Sequence, residues 1–101
     1  MKVLAKPKKK SRLTDYVEGK YSLTNEEGTA FIVGEVIFNI WVECDGHTEI
    51  SEIIANTAKI LRLDQEKTEE LKKAVPDIIN QLVDKGLITS DLETEKIAHI
   101  H

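Results

Sequence analysis

One change of rhythm constrains this chain more than any other feature: the spacing of its apolar residues switches at Gly34. Before it, Tyr21 and Leu23 alternate with Ser22 and Thr24, and Thr29 to Val33 is rich in β-branched and aromatic residues. Both patterns are those of short strands with one buried face. After it, Val36, Ile37, Ile40 and Trp41 recur at helical spacing. With 101 residues there is room for one domain and one modest core, so strands and helices must share it. The expected class is α+β: a three-stranded antiparallel sheet followed by a three-helix, winged-helix-like bundle.

The strands are predicted near Leu13–Val17, Lys20–Thr24 and Thr29–Val33. Glu18-Gly19 reads as the first turn and Asn25-Glu26-Glu27-Gly28 as a hairpin loop, with Gly28 free to take a positive φ. The first helix is predicted from Glu35 to Glu43, closed by Asp45-Gly46. Thr48 is positioned to cap a second helix reaching Leu61, with Ile50, Ile53, Ile54 and Ala58 on its apolar face. Asp64 caps a third, whose buried side carries Leu71, Val75, Ile78, Ile79 and Leu82. Pro76 lies inside it and predicts a kink or a split into two helices. Lys85-Gly86 ends it, and Leu87-Ile88 reads as a closing extended stretch.

Charge is divided unevenly. Six basic residues and no acid occupy the first twelve positions, whereas from residue 13 onward 8 basic residues face 18 acids. Residues 1–11 therefore read as a flexible basic arm, 12–90 as the folded domain and 91–101 as a loosely ordered tail. An acidic body repels a phosphate backbone, which weighs against nucleic-acid binding. The single cysteine, Cys44, cannot form an intramolecular disulfide, and a reduced, cytoplasmic setting is the simplest reading. No apolar run reaches the roughly 20 residues of a membrane span.

Catalytic chemistry finds little support. Cys44 and His47 have the types of a nucleophile and its base, but Cys44 sits on an apolar helix end and reads as a packing residue. His99 and His101 form a terminal His-x-His, a poor basis for a metal site. No catalytic residue, metal or cofactor is expected. A sheet this small leaves an edge open, and an open edge can accept a partner strand, the chain's own tail or a second copy.

Lys20 to Ile88 resembles the PqqD family, with the related recognition elements for precursors of ribosomally made, post-translationally modified peptides. The resemblance rests on an ordered set: Tyr21-Ser22-Leu23-Thr24-Asn25-Glu26-Glu27-Gly28, then Phe31-Ile32-Val33-Gly34-Glu35-Val36, then Ile40-Trp41-Val42-Glu43-Cys44-Asp45-Gly46, then Ile50-Ser51-Glu52-Ile53-Ile54, and last Leu82-Val83-Asp84-Lys85-Gly86-Leu87-Ile88. Gly34 stands where many relatives have Asn, Ile37-Phe38 replace small residues, and Pro76 interrupts the third helix.

The resemblance implies a non-enzymatic protein that holds the leader of a precursor peptide as an extra strand. The leader would lie on the third strand, against the third helix, for delivery to a modifying enzyme, often a radical S-adenosylmethionine enzyme. Carried onto this chain, the strand positions are Thr29, Ala30, Phe31, Ile32 and Val33. The helix wall would come from Leu71, Lys72, Val75 and Ile79. Lys72 and Lys73 would either pair with leader acids or stay solvated. Trp41, Cys44, Ile53 and Leu82 are assigned to the core. Charged residues in place of Phe31 and Val75 are expected to abolish leader binding and leave the fold intact. The alternatives are a winged-helix nucleic-acid-binding protein and a homodimer module paired through the sheet edge.

Overall fold

The computed structural model describes residues 6–89. Its elements run β1 (Ser11–Val17), β2 (Lys20–Asn25), β3 (Ala30–Val33), α1 (Glu35–Val42), α2 (Ile50–Ile60) and α3 (Gln65–Asp84). The α+β order follows the change of spacing at Gly34, and element ends shift by one or two residues. The predicted tail 91–101, with His99 and His101, lies outside the described residues.

The sheet has the order β1-β2-β3 with both pairs antiparallel. Glu18 and Gly19 take φ of 44° and 81°, and Val17 pairs with Lys20 across them. That is a two-residue turn of the primed kind, whose twist suits a hairpin. In the second hairpin Asn25 organises the loop. Its side-chain oxygen accepts from the N–H groups of Glu27 and Thr29, and its carbonyl accepts from Gly28 at 3.0 Å. Thr29 thereby belongs to the turn rather than to β3.

α1 lies on the sheet through aromatic stacking. Tyr21 of β2 and Phe38 of α1 stack at 3.7 Å, with Tyr16 and Trp41 at either end of the row. Four of the five aromatics thus join the sheet to the first helix. The core beneath them combines Leu23 and Val33 with Ile40, Ile53, Val75, Ile79 and Leu87, and includes Trp41, Cys44 and Leu82 as expected.

Three expectations need correction. Thr48 does not cap α2. Its hydroxyl donates to Asp45 Oδ2 at 3.0 Å, while Asp45 Oδ1 accepts from the N–H groups of His47 and Thr48. Thr48 is spent on this loop, and the N-cap position falls to Glu49, which makes no side-chain cap bond. Second, of the two outcomes expected at Pro76, a kink or a split, the split does not occur: α3 runs on as one helix, capped as predicted by Asp64, which accepts from Lys67 N at 2.8 Å. A mid-helix proline costs about 3 kcal/mol. Burying Leu71, Val75, Ile79 and Leu82 on the two sides of it is worth about 1.5–3 kcal/mol each, so packing outweighs the break.

The third correction concerns the basic arm, whose second half is bound to the body. Pro7 is fully buried, and its carbonyl accepts from Gly46 N. Lys8 bridges to Asp45 and Lys9 to Ile88, with Lys9 N donating to the Cys44 carbonyl and Lys10 N to that of Leu87. Lys9 Nζ reaches the carbonyls of Val42 and Cys44 and lies 5.4 Å from the Trp41 ring centre. It supplies a cation at the C-terminus of α1, whose own last turn has none. Trp41 Nε1 donates to Ser11 Oγ, which donates to the Leu87 carbonyl. Residues 7–11 are a strap joining the end of α1 to the exit at Leu87-Ile88.

Candidate functional site

The sheet has two outer edges, and they differ. On β1 a bulge breaks the register between Leu13 and Asp15, and Arg12 and Asp15 add charge. The Asp15 carboxylate also accepts from Tyr16 N at 2.8 Å, filling a backbone donor locally. Bulges and charges are the usual devices that keep an edge from pairing. β3 has none of them. It reads Ala-Phe-Ile-Val, without charge, proline or bulge.

The register fixes what β3 offers. Asn25 N donates to the Thr29 carbonyl at 3.0 Å, which makes that pair a hydrogen-bonded one. Antiparallel pairs alternate, so Leu23 with Phe31 and Tyr21 with Val33 exchange bonds within the sheet. The N–H and C=O groups of Ala30 and Ile32 then point to the open edge. Among the described residues nothing bonds to them. The side chains follow the same alternation: Phe31 and Val33 turn to the core, and Ile32 is 73% exposed.

The expected helix wall is only partly where it was placed. Leu71, Val75 and Ile79 are buried in the core and offer no open surface. Lys72 instead lines a cleft between α2 and α3, about 470 Å³ in volume, with Ser51, Ile54, Ala55 and Thr68. The apolar stripe of α3 is consumed by the core, so a groove beside β3 must use a flank of that stripe.

Lys85 identifies the flank. Its ammonium lies 5.8 Å from the Phe31 ring centre, and its carbonyl accepts from Asn25 Nδ2 at 2.9 Å. Helical spacing puts Ala74, Ile78 and Gln81 on the same side of α3 as Lys85, away from the α2 cleft. Sequence reasoning missed these four. The available signal was the neutral run Ala74, Ile78, Gln81 at spacings of four and three, bordering the buried stripe and ending in a cation.

The single cysteine is not set up for covalent chemistry. Cys44 is fully buried, its Sγ donates to the Ile40 carbonyl, and burial pushes its thiol up to about 12. At neutral pH it holds its proton and is no nucleophile. The described residues contain no group of three or more side chains placed to hold a metal ion. No helix among them is long and apolar enough to cross a membrane.

Residues 14–88 match the family model described as "Coenzyme PQQ synthesis protein D (PqqD)". The match covers about three quarters of the chain and takes in the whole of β2, β3 and the three helices, while the strap at 7–11 precedes it. No curated protein and no solved structure matches significantly.

Proposed function

The chain belongs to the PqqD family, and from that premise we propose that it is a non-catalytic peptide-binding adaptor. It takes the leader segment of a precursor peptide as a fourth strand on β3 and presents the remainder to a modifying enzyme, a radical S-adenosylmethionine enzyme being the expected class. The observation that carries this reading is the asymmetry of the two edges. β1 is bulged, charged and self-capped at Tyr16, whereas on β3 the backbone groups of Ala30 and Ile32 have no partner among the described residues. Backbone pairing supplies affinity in strand addition, and flanking side chains supply selection. Here the selecting surface is the Ala74, Ile78, Gln81, Lys85 flank of α3.

A nucleic-acid reading finds no comparable support, because the only basic residue of α2 is Lys59 and α1 has none. The test is fluorescence anisotropy with the labelled leader of a candidate precursor peptide. Saturable binding at micromolar protein, with the protein monomeric by size-exclusion chromatography, is expected. A dimer that dissociates before leader binds would assign the edge to a second copy. No binding to the monomer would refute the adaptor reading.

A further inference from the structure

We infer that the strand received on β3 carries an Asp or Glu opposite Phe31 and an apolar residue opposite Val33. This deepens the adaptor reading and rests on it. Residues opposite one another in a sheet share a face, so a peptide side chain opposite Phe31 projects to the side on which Phe31 projects. Lys85 Nζ stands there, 5.8 Å from the Phe31 ring centre. Directly opposed side chains begin about 5 Å apart at Cβ, so a carboxylate opposite Phe31 reaches that ammonium.

The backbone of Lys85 is anchored. It ends α3 and is tied to the β2–β3 hairpin through Asn25, and no carboxylate among the described residues pairs with its ammonium. Two acids stand at this end of α3: Asp84, its last residue, and Glu27, whose Oε1 is 3.8 Å from where a Cβ on Gly86 would stand. The next peptide side chain on the same face lies opposite Val33. The flank of α3 beyond Lys85 offers Gln81, Ile78 and Ala74, with exposed Asp77 on its outer margin, and its uncharged surface suits an apolar group. The residue between the two points to the other face, beside exposed Ile32. The recognised pattern is therefore acid-x-apolar, read in the direction that follows β3 from Phe31 to Val33. An acidic side chain is also a counter-intuitive ligand for a body of net negative charge, which makes the pattern informative.

The experiment is selection from a displayed library of random nine-residue peptides on the wild-type protein, on Lys85→Gln and on Lys85→Glu. Circular dichroism checks that each variant is folded, and amide shifts of Ala30 and Ile32 locate the selected peptides. On wild type we expect the acid-x-apolar spacing to be enriched at least tenfold. The acid preference should vanish on Lys85→Gln and become a Lys or Arg preference on Lys85→Glu. Peptides that shift Ala30 and Ile32 but show the same acid frequency on all three proteins would overturn this inference and leave strand addition standing. Selected peptides that leave those amides unmoved, or no enrichment at all, would overturn both.

Discussion

Proline at position 32 separates the two sides of β3. The Ile32 N–H faces the open edge, so Ile32→Pro removes a donor that the sheet does not use, and the side chain it replaces is 73% exposed. The fold should lose no more than the roughly 1 kcal/mol that strand propensities span, because edge strands accept proline where the N–H faces solvent. A bound strand loses more. One backbone hydrogen bond is worth about 1 kcal/mol net, and the peptide carbonyl left facing the proline ring costs about 1–3 kcal/mol unsatisfied. Together these weaken binding by about 2–4 kcal/mol, or about 30- to 700-fold in Kd. Isothermal titration with the leader peptide measures it, beside a thermal melt of the variant. Ile32→Thr keeps the N–H and should bind within a few-fold of wild type, which separates the backbone from the side chain. Phe31→Pro should instead disrupt the sheet, since the Phe31 N–H pairs with β2. A folded Ile32→Pro protein that binds leader as tightly as wild type would refute the register argument.

The remaining predictions concern the scaffold. Val75 is fully buried, so Val75→Glu should abolish the cooperative thermal transition, by the several kcal/mol that an unpaired buried charge costs; a native-like melt would return Val75 to the groove. Thr57 is fully buried and its hydroxyl has no partner among the described residues, so Thr57→Val should raise stability by about 1 kcal/mol in chemical denaturation, and a loss would imply a bond to that hydroxyl. Arg62 holds φ at 54° in the position after α2, where Arg62 N donates to Lys59 and Leu63 N to Ala58. Arg62→Gly should stabilise by about 1 kcal/mol, with no gain counting against a left-handed cap there. The Cys44 thiol ionises at 9.0 in the unfolded reference and at about 12 in the fold, so its contribution to stability is full below pH 9 and falls as pH rises beyond it. Denaturation midpoints measured upward from pH 8 should drop for wild type and drop less for Cys44→Ala.

Local rules made much of the scaffold readable in advance. Glu18-Gly19 and Asn25–Gly28 announced two hairpins through turn chemistry, Asp64 announced a helix start, and Trp41, Cys44, Ile53 and Leu82 fell on apolar faces that had to be buried. The strap was hidden because a run of lysines reads as solvated, and its bonds go to Cys44, Gly46 and Leu87, remote in sequence. Lysine stems also lie along apolar surface while their ammonium groups find carbonyls, as Lys9 does over Trp41. The open edge was foreseen as a consequence of a small sheet. Its helical wall was misjudged because the strongest periodic signal in α3, Leu71, Val75 and Ile79, belongs to the core. Periodicity finds the most buried stripe of a helix, whereas a binding groove uses the margin of that stripe. Only the position of Lys85 over Phe31 showed which margin faces β3.

Amide chemical-shift mapping of the labelled protein during titration with the leader half of a candidate precursor peptide tests strand addition on β3 most directly. The account predicts the largest changes at Ala30 and Ile32, whose N–H groups gain partners, with further changes at Ile78, Gln81 and Lys85. Leader binding that left Ala30 and Ile32 unmoved, and shifted the strap at Lys8–Ser11 or the α2–α3 cleft instead, would contradict it.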